Sequence, residues 1–251
     1  MTRWIAAVSA GLTLVLAAPA AAEGATTTLF RLRDARLDEL SGMARGIASP
    51  RVFWAQNDSG DSARIFALDA STGAVRAAYT VPDAENHDWE DLAVAPDAAG
   101  RASIWIADTG DNDASRSEVQ LYRVPEPRVG GTGERSAATK RPAVWRLRYP
   151  SGPANAESLA VTPTGRAYVI TKSPDGHSAV FVVPPRPDPN RVQTMRQVGT
   201  IRFRSHGGLV PASLQVLATG AAMSRDGRLL AVRTYTDAYV WRVPNGDVAA
   251  A

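Results

Sequence analysis

Residues 83–112 read DAENHDWEDLAVAPDAAGRASIWIADTGDN, and this run holds both features that organise the chain. One is a strand–turn–strand unit: EDLAV (Glu90 to Val94), a Pro/Gly turn, then SIWIAD (Ser103 to Asp108). The other is acid. Asp83, Glu85, Asp88, Glu90 and Asp91 fall within nine residues, and TGDND closes the run with a second cluster. Carboxylates at like-charge distances repel one another, and crowding them becomes favourable when a hard cation, an Arg or a cationic ligand sits among them.

Working outward, the same unit recurs. First strands start at SGMA (Ser41 to Ala44), EDLAV, ESLAV (Glu157 to Val161) and TGAAM (Thr219 to Met223). Turns such as PDAAGR, PTGR and SRDGR follow, and then second strands RVFWAQ, SIWIAD, RAYVITK and RLLAVRT. After polar turns come third strands RIFALD, VQLYRV, AVFVV and AYVWRV, and the first three units add outer strands VRAAYTV, AVWRLRY and QVGTIRF. Four repeats of one antiparallel meander, spaced by roughly 50 to 65 residues, predict an all-β chain folded as a β-propeller of four blades. A β-sandwich would explain the strands but not the reuse of one pattern. Two Pro/Gly/Arg-rich insertions, PEPRVGGTGERSAATKRP and PPRPDPNR, read as flexible loops. The fourth unit has no outer strand, so either TTTLFRLR near the N-terminus pairs with that blade and closes the ring, because closure removes an exposed sheet edge, or the ring is left open, incomplete at the C-terminus for want of a final blade.

The meander also fixes where the motifs meet. The loop entering a first strand and the loop joining strands two and three lie at the same end of a blade, so both motif sets line one mouth. That places Glu90, Asp91 and Glu157 at first-strand starts, and Asn57, Asp58, Asp108, Asp111 and Asn112 at second-strand ends. Oxygen ligands from several blades suit Ca²⁺, which takes 6 to 8 oxygens. Those eight residues are the candidate metal ligands, and a solvated acidic loop is the competing reading. Where the first two units carry Asp58 and Asp108, the later ones carry Lys172 and Arg233. These two either hold an anionic group beside the cation or neutralise acids across the channel. His87, inside the acid run, is a further candidate for acid–base chemistry.

Residues 1–22 read as an export signal: Arg3 is basic, Trp4 to Leu16 apolar, and Ala20-Ala21-Ala22 offers a small-residue cleavage site. Roughly 230 of the 251 residues then form one domain, expected outside the cytoplasm as a monomer. The chain has no cysteine, so no disulfide framework or lipidated thiol is available. A net charge of +3, with no basic cluster interleaved with aromatics, argues against a nucleic-acid partner. No segment after the signal approaches the ~20 apolar residues of a spanning helix. There is no G-x-S-x-G elbow, Walker loop or H-E-x-x-H, and DTGDNDASRSEV departs from the EF-hand at positions 6 and 12.

Ser41-Gly42-Met43-Ala44, Trp54 to Asp61, Asp88 to Ala93, Asp108 to Asn112 and Ser224 to Tyr239 together resemble secreted β-propeller proteins of actinobacteria. More distantly the chain is similar to calcium-containing six-bladed propellers of the gluconolactonase-like and phytase-like groups. That resemblance implies a metal on the central channel held by Glu90 and Glu157. The readings that follow are a Ca²⁺-binding propeller holding a small or extracellular ligand, a metal-dependent esterase, lactonase or phosphoesterase, and an interaction scaffold without metal.

Overall fold

A computed structural model describes residues 27–131, 133–244 and 248; the export signal lies outside the described residues. Four small sheets form a four-bladed β-propeller. Blade 1 runs β1 (Leu40–Arg45), β2 (Val52–Asn57), β3 (Arg64–Asp69) and β4 (Val75–Thr80). Blade 2 runs β5 (Trp89–Pro96), β6 (Ala102–Asp108) and β7 (Val119–Pro125), then an insertion carrying β8 (Arg135–Ala138), then β9 (Ala143–Arg148). Blade 3 comprises β10 (Ala156–Val161), β11 (Ala167–Thr171), β12 (His177–Val182), an insertion with β13 (Asp188–Thr194), and β14 (Arg196–Arg202). Blade 4 is β15 (Gly220–Met223), β16 (Leu229–Arg233) and β17 (Ala238–Arg242).

Strand alternation explains how these blades stack. Successive side chains point to opposite faces of a sheet, and β6 has a neighbour on each face. Ile104 and Ile106 pack with Trp54, Ile65 and Ala67 of blade 1, while Trp105 and Ala107 pack with Leu159, Val169 and Phe181 of blade 3. A strand buried on both faces needs an unbroken apolar run, and IWIA is one. Blade 3 repeats the device, with Tyr168 and Ile170 turned toward Leu230 and Val232 of blade 4. Burying each such large side chain contributes about 1.5–3 kcal/mol.

The insertions are strands rather than free loops. β8 pairs in parallel with β4 of blade 1, and β13 pairs in parallel with β9 of blade 2. Each insertion therefore reaches back to cover the outer edge of the preceding blade. The backbone donors and acceptors of that edge find partners there, and the edge stops being a template for other chains.

The expected N-terminal closing strand is not formed. Blade 4 has three strands among the described residues, and residues 27–34 pair with none of them. Their apolar side chains are used elsewhere: Phe30 packs on Phe53 at 5.9 Å, and Leu32 packs against Leu37, Ala55, Phe66 and Leu68. The segment thus covers the face of blade 1 that points away from blade 2. The facing side of blade 4 stays open, with Val240 61% exposed. Between β1 and β15 lies a cleft of about 440 Å³ lined by Leu40, Met43, Ala222 and Arg233 among others. Two arginines cross it, Arg233 donating to Ser41 O at 3.1 Å and Arg225 to Gly46 O at 2.7 Å.

Candidate metal centre

In blades 1 to 3 the pairing of the first two strands skips one residue at the mouth: Ser41, Glu90 and Glu157 respectively. Such a bulge leaves its extra residue out of the ladder and re-aims the side chain. Blade 4 pairs without a skip. The three bulge residues occupy equivalent places, and two of them are glutamates.

Glu90 meets Asp58 from the β2–β3 turn and Asp88 from the segment entering β5, with ligand oxygens all within 4.8 Å of one another. Glu90 is only 3% exposed, and no side-chain or backbone donor among the described residues reaches its carboxylate. Gly110 sits directly under the cluster. A Cβ there would lie 2.3 Å from Asp88 Cγ and 2.4 Å from Glu90 Oε1, so only a residue without a side chain leaves the carboxylates their place.

The electrostatics follow from crowding without compensation. Burial, reinforced by Glu157, Asp58 and Asp88, pushes Glu90 up to about 9. Burial and the neighbouring Asp58 push Asp88 up to about 7. Burial also raises Glu157, against the pull of Lys172, which forms an ion pair with it. Lys172 Nζ hydrogen-bonds Tyr235 OH at 3.1 Å as well. Burial works against the Lys172 charge, but Glu157 outweighs it and the ammonium is held above its ordinary range.

The remaining candidate ligands have other partners. Asp91 is a tie between blades: Oδ1 accepts from Leu92 N at 2.8 Å, and Oδ2 accepts from Leu159 N at 2.8 Å and Ala221 N at 2.9 Å. One carboxylate thereby joins the inner strands of blades 2, 3 and 4. Burial still lifts it to about 6, with those three N–H groups pulling the other way. Asp108 pairs with Arg116 at 2.9 Å and accepts from Asp88 N at 3.1 Å. Asp111 closes a turn by accepting from Ser115 N and Arg116 N. Asn57 donates to Arg36 O and Asp61. Asn112 is exposed and accepts from Asn155 Nδ2 at 3.0 Å. His87 is exposed and outside the cluster. Arg233 donates to Thr219 Oγ1 at 2.9 Å and lies in the cleft between blades 4 and 1.

Three participants escaped the sequence reading. Asp88 lies one residue outside β5, next to the bulge that re-aims Glu90, so regular strand alternation does not pair the two. Gly110 stands between Thr109 and Asp111, with nothing local to mark it. Tyr235 reaches Lys172 across a separation of 63 residues, which no local pattern encodes.

The geometry defines a four-bladed propeller with an acid-lined mouth. No protein-family model matches the chain, and no curated protein matches it. Among solved structures it is similar to the Malassezia sympodialis allergen Mala s 1, at 13% identity over 79% of this chain and 58% of that one, TM-score 0.45. It is similar to Kuenenia stuttgartiensis hydrazine synthase at 14% identity over 80% and 58%, TM-score 0.41. It is also similar to the PQQ-bound aldose sugar dehydrogenase of Streptomyces coelicolor, at 13% identity over 81% of each chain, TM-score 0.38. The chain thus spans 58% of the length of the first two.

Proposed function

We propose that this chain is an exported β-propeller that binds a divalent cation, Ca²⁺, at its mouth and uses it to hold a small or extracellular anionic ligand. One observation carries the reading. Glu90 is buried, receives no hydrogen bond from the described protein, and shares a space under 5 Å across with Asp58 and Asp88. A buried carboxylate left this way costs several kcal/mol unless it is neutralised. A proton can do that, and a hard cation does it while satisfying all three carboxylates together. Asp58, Asp88 and Glu90 would hold the ion. Glu157 stands nearby with its charge balanced by Lys172.

The test is the metal content of the purified mature protein by elemental mass spectrometry, with melting curves in Ca²⁺ and in chelator. A ligand present at a thousand times its Kd adds about 4 kcal/mol, on the order of 10 °C for a chain of this size. One Ca²⁺ per chain and a drop of that order in chelator are expected. No bound metal with superimposable curves would leave a metal-free scaffold as the better reading.

A metal-dependent esterase, lactonase or phosphoesterase is the second reading, favoured by Lys172 standing beside the carboxylates, where it donates to Glu157 and to Tyr235 OH. A bound cation would supply Lewis-acid polarisation of an ester or phosphoryl oxygen. Lys172 and Tyr235 would orient the anionic part of the substrate. Turnover of such esters that survives both Glu90→Gln and Lys172→Met in folded protein would remove this reading while leaving the cation site standing.

A further inference from the structure

We infer that the loop joining β14 to β15 is an insertion tip that seats the protein on an anionic lipid surface. The loop is anchored at both stems. Phe203 and Val216 are buried in the core shared by blades 3 and 4, and Phe203 N donates to Gly176 O at 2.9 Å. Between the stems the usual arrangement is inverted, with a polar residue inside and apolar residues outside. Gln215 is fully buried, and its amide holds the loop by four bonds. Its Oε1 accepts from Ser205 Oγ at 3.2 Å and His206 N at 3.0 Å, while Nε2 donates to Gly207 O at 3.0 Å and Val210 O at 2.8 Å. Leu209, by contrast, is fully exposed, and Val210 and Leu214 are 40% and 38% exposed. A single exposed Leu needs no explanation. A loop whose buried hydrogen bonds hold three apolar side chains in water presents them to a surface that would cover them.

The charge leading into the tip says which surface. Residues 186–204 hold five arginines, Arg186, Arg191, Arg196, Arg202 and Arg204, against one acid, Asp188. That local excess is larger than the +3 of the whole chain. All five are exposed, and they follow the outer wall of blade 3 along β13 and β14 into the loop. Exposed Arg148 of β9 continues the basic wall, since β9 pairs with β13 and Arg148 Nε donates to Thr194 Oγ1 at 2.8 Å. The acids in the two turns beside the loop are already engaged: Asp175 accepts from Ser173 Oγ and His177 N, and Asp237 from Thr236 Oγ1 while meeting His206 Nε2 at 3.0 Å. An apolar element that enters the headgroup boundary, with basic side chains staying among the headgroups, is how a protein binds an anionic bilayer. An anionic polymer would use the arginines and leave Leu209 without a role. The tip shares no residue with the carboxylate cluster, so the inference stands or falls independently of the cation reading.

The experiment is co-sedimentation of the full mature chain, in chelator, with vesicles of equal parts phosphatidylglycerol and phosphatidylcholine, beside vesicles of phosphatidylcholine alone. Binding to the anionic vesicles is expected, and at least about tenfold weaker binding to the neutral ones. The variant carrying Arg202→Gln and Arg204→Gln should bind about tenfold more weakly than the parent, and Leu209→Ser should lose about the same factor. The chain has no cysteine, so Leu209→Cys and, in the turn at the far end of blade 2, Ala99→Cys each take one environment-sensitive fluorophore. Anionic vesicles should shift the label at position 209 to the blue and leave the one at position 99 unchanged. Absence of binding, equal binding to both vesicles, a silent label at position 209, or unchanged binding in the arginine or the leucine variant would each overturn the proposal. Where vesicles fail, capture by dextran sulfate would assign the arginines to an anionic polymer, and a dimer that Leu209→Ser dissociates would assign the tip to a second copy. Circular dichroism on every variant separates loss of the tip from loss of the fold.

Discussion

The two ends of the ring treat a buried carboxylate in opposite ways. Away from the mouth, Glu126 accepts from Ile47 N, Ala48 N, Ser49 N and Trp54 Nε1, all at 2.7–3.1 Å, and so latches the β1–β2 turn of blade 1 onto blade 2. At the mouth, Glu90 receives no donor and faces two further carboxylates. Both residues are buried. A carboxylate with four donors is a structural joint, whereas one with none, held among like charges, is the position where the proposed cation would supply the missing partner. Asp91, next to Glu90 in sequence, belongs with Glu126: its three backbone donors show that the mouth can satisfy an acid when the fold requires it.

The comparison is easiest to break through Glu126. Glu126→Ala leaves four donors without their acceptor, those of Ser49 and Trp54 buried and those of Ile47 and Ala48 part-buried, and is expected to cost about 3–5 kcal/mol, lowering the melting temperature by on the order of 10 °C. A drop of less than about 3 °C by calorimetry would show that the far end is not held this way. Gly110→Ala comes next. Its Cβ overlaps Asp88 and Glu90, so a loss of about 1–3 kcal/mol from overpacking is expected, together with loss of the Ca²⁺-induced rise in melting temperature. Retention of that rise would move the cation away from this cluster.

Glu90→Gln sharpens the contrast because its sign is reversed. In chelator the variant is expected to be more stable than the parent by about 1 kcal/mol, since the parent must take up a proton on folding to bury Glu90 whereas the amide is already neutral, while its stabilisation by Ca²⁺ disappears. A loss of stability in chelator would place Glu90 with Glu126 as a structural joint.

A further effect is a slope with pH. Glu90 rises from 4.5 to about 9 on folding, so the folded state holds a proton that the unfolded state releases across that window. Stability in chelator therefore falls as pH rises from about 4.5 to about 9. Chemical denaturation at several pH values should show the parent losing stability over this range and Glu90→Gln following a flatter line. Parallel lines would mean that the Glu90 carboxyl does not carry the proton.

Much of this was legible in the chain before folding. The recurrence of EDLAV, ESLAV and their turns gave the blades and every main strand, because alternation and turn chemistry are local and a meander pairs neighbours in sequence. Two features were misread for the same reason. The insertions looked like loops because Pro, Gly and Arg dominate them, yet β8 and β13 gain their ladders from the preceding blade. TTTLFRLR looked like a closing strand, yet Phe30 and Leu32 find a better apolar surface on blade 1. In both cases the partner is distant in sequence, and a local pattern carries no information about it.

The site divides along the same line. The acid run, the glutamates at the bulges and the lysine opposite them are properties of the chain, since residue type and repeat position fix which end of a blade they occupy. Which carboxylates are satisfied is not. Asp91 and Glu90 are adjacent acids in one strand, and the sequence treats them alike. Only the approach of blades 3 and 4 brings Leu159 N and Ala221 N to the first and leaves the second with no donor. A hydrogen bond depends on placing two groups within about 3 Å, and that placement is set by packing between blades rather than by any stretch of sequence.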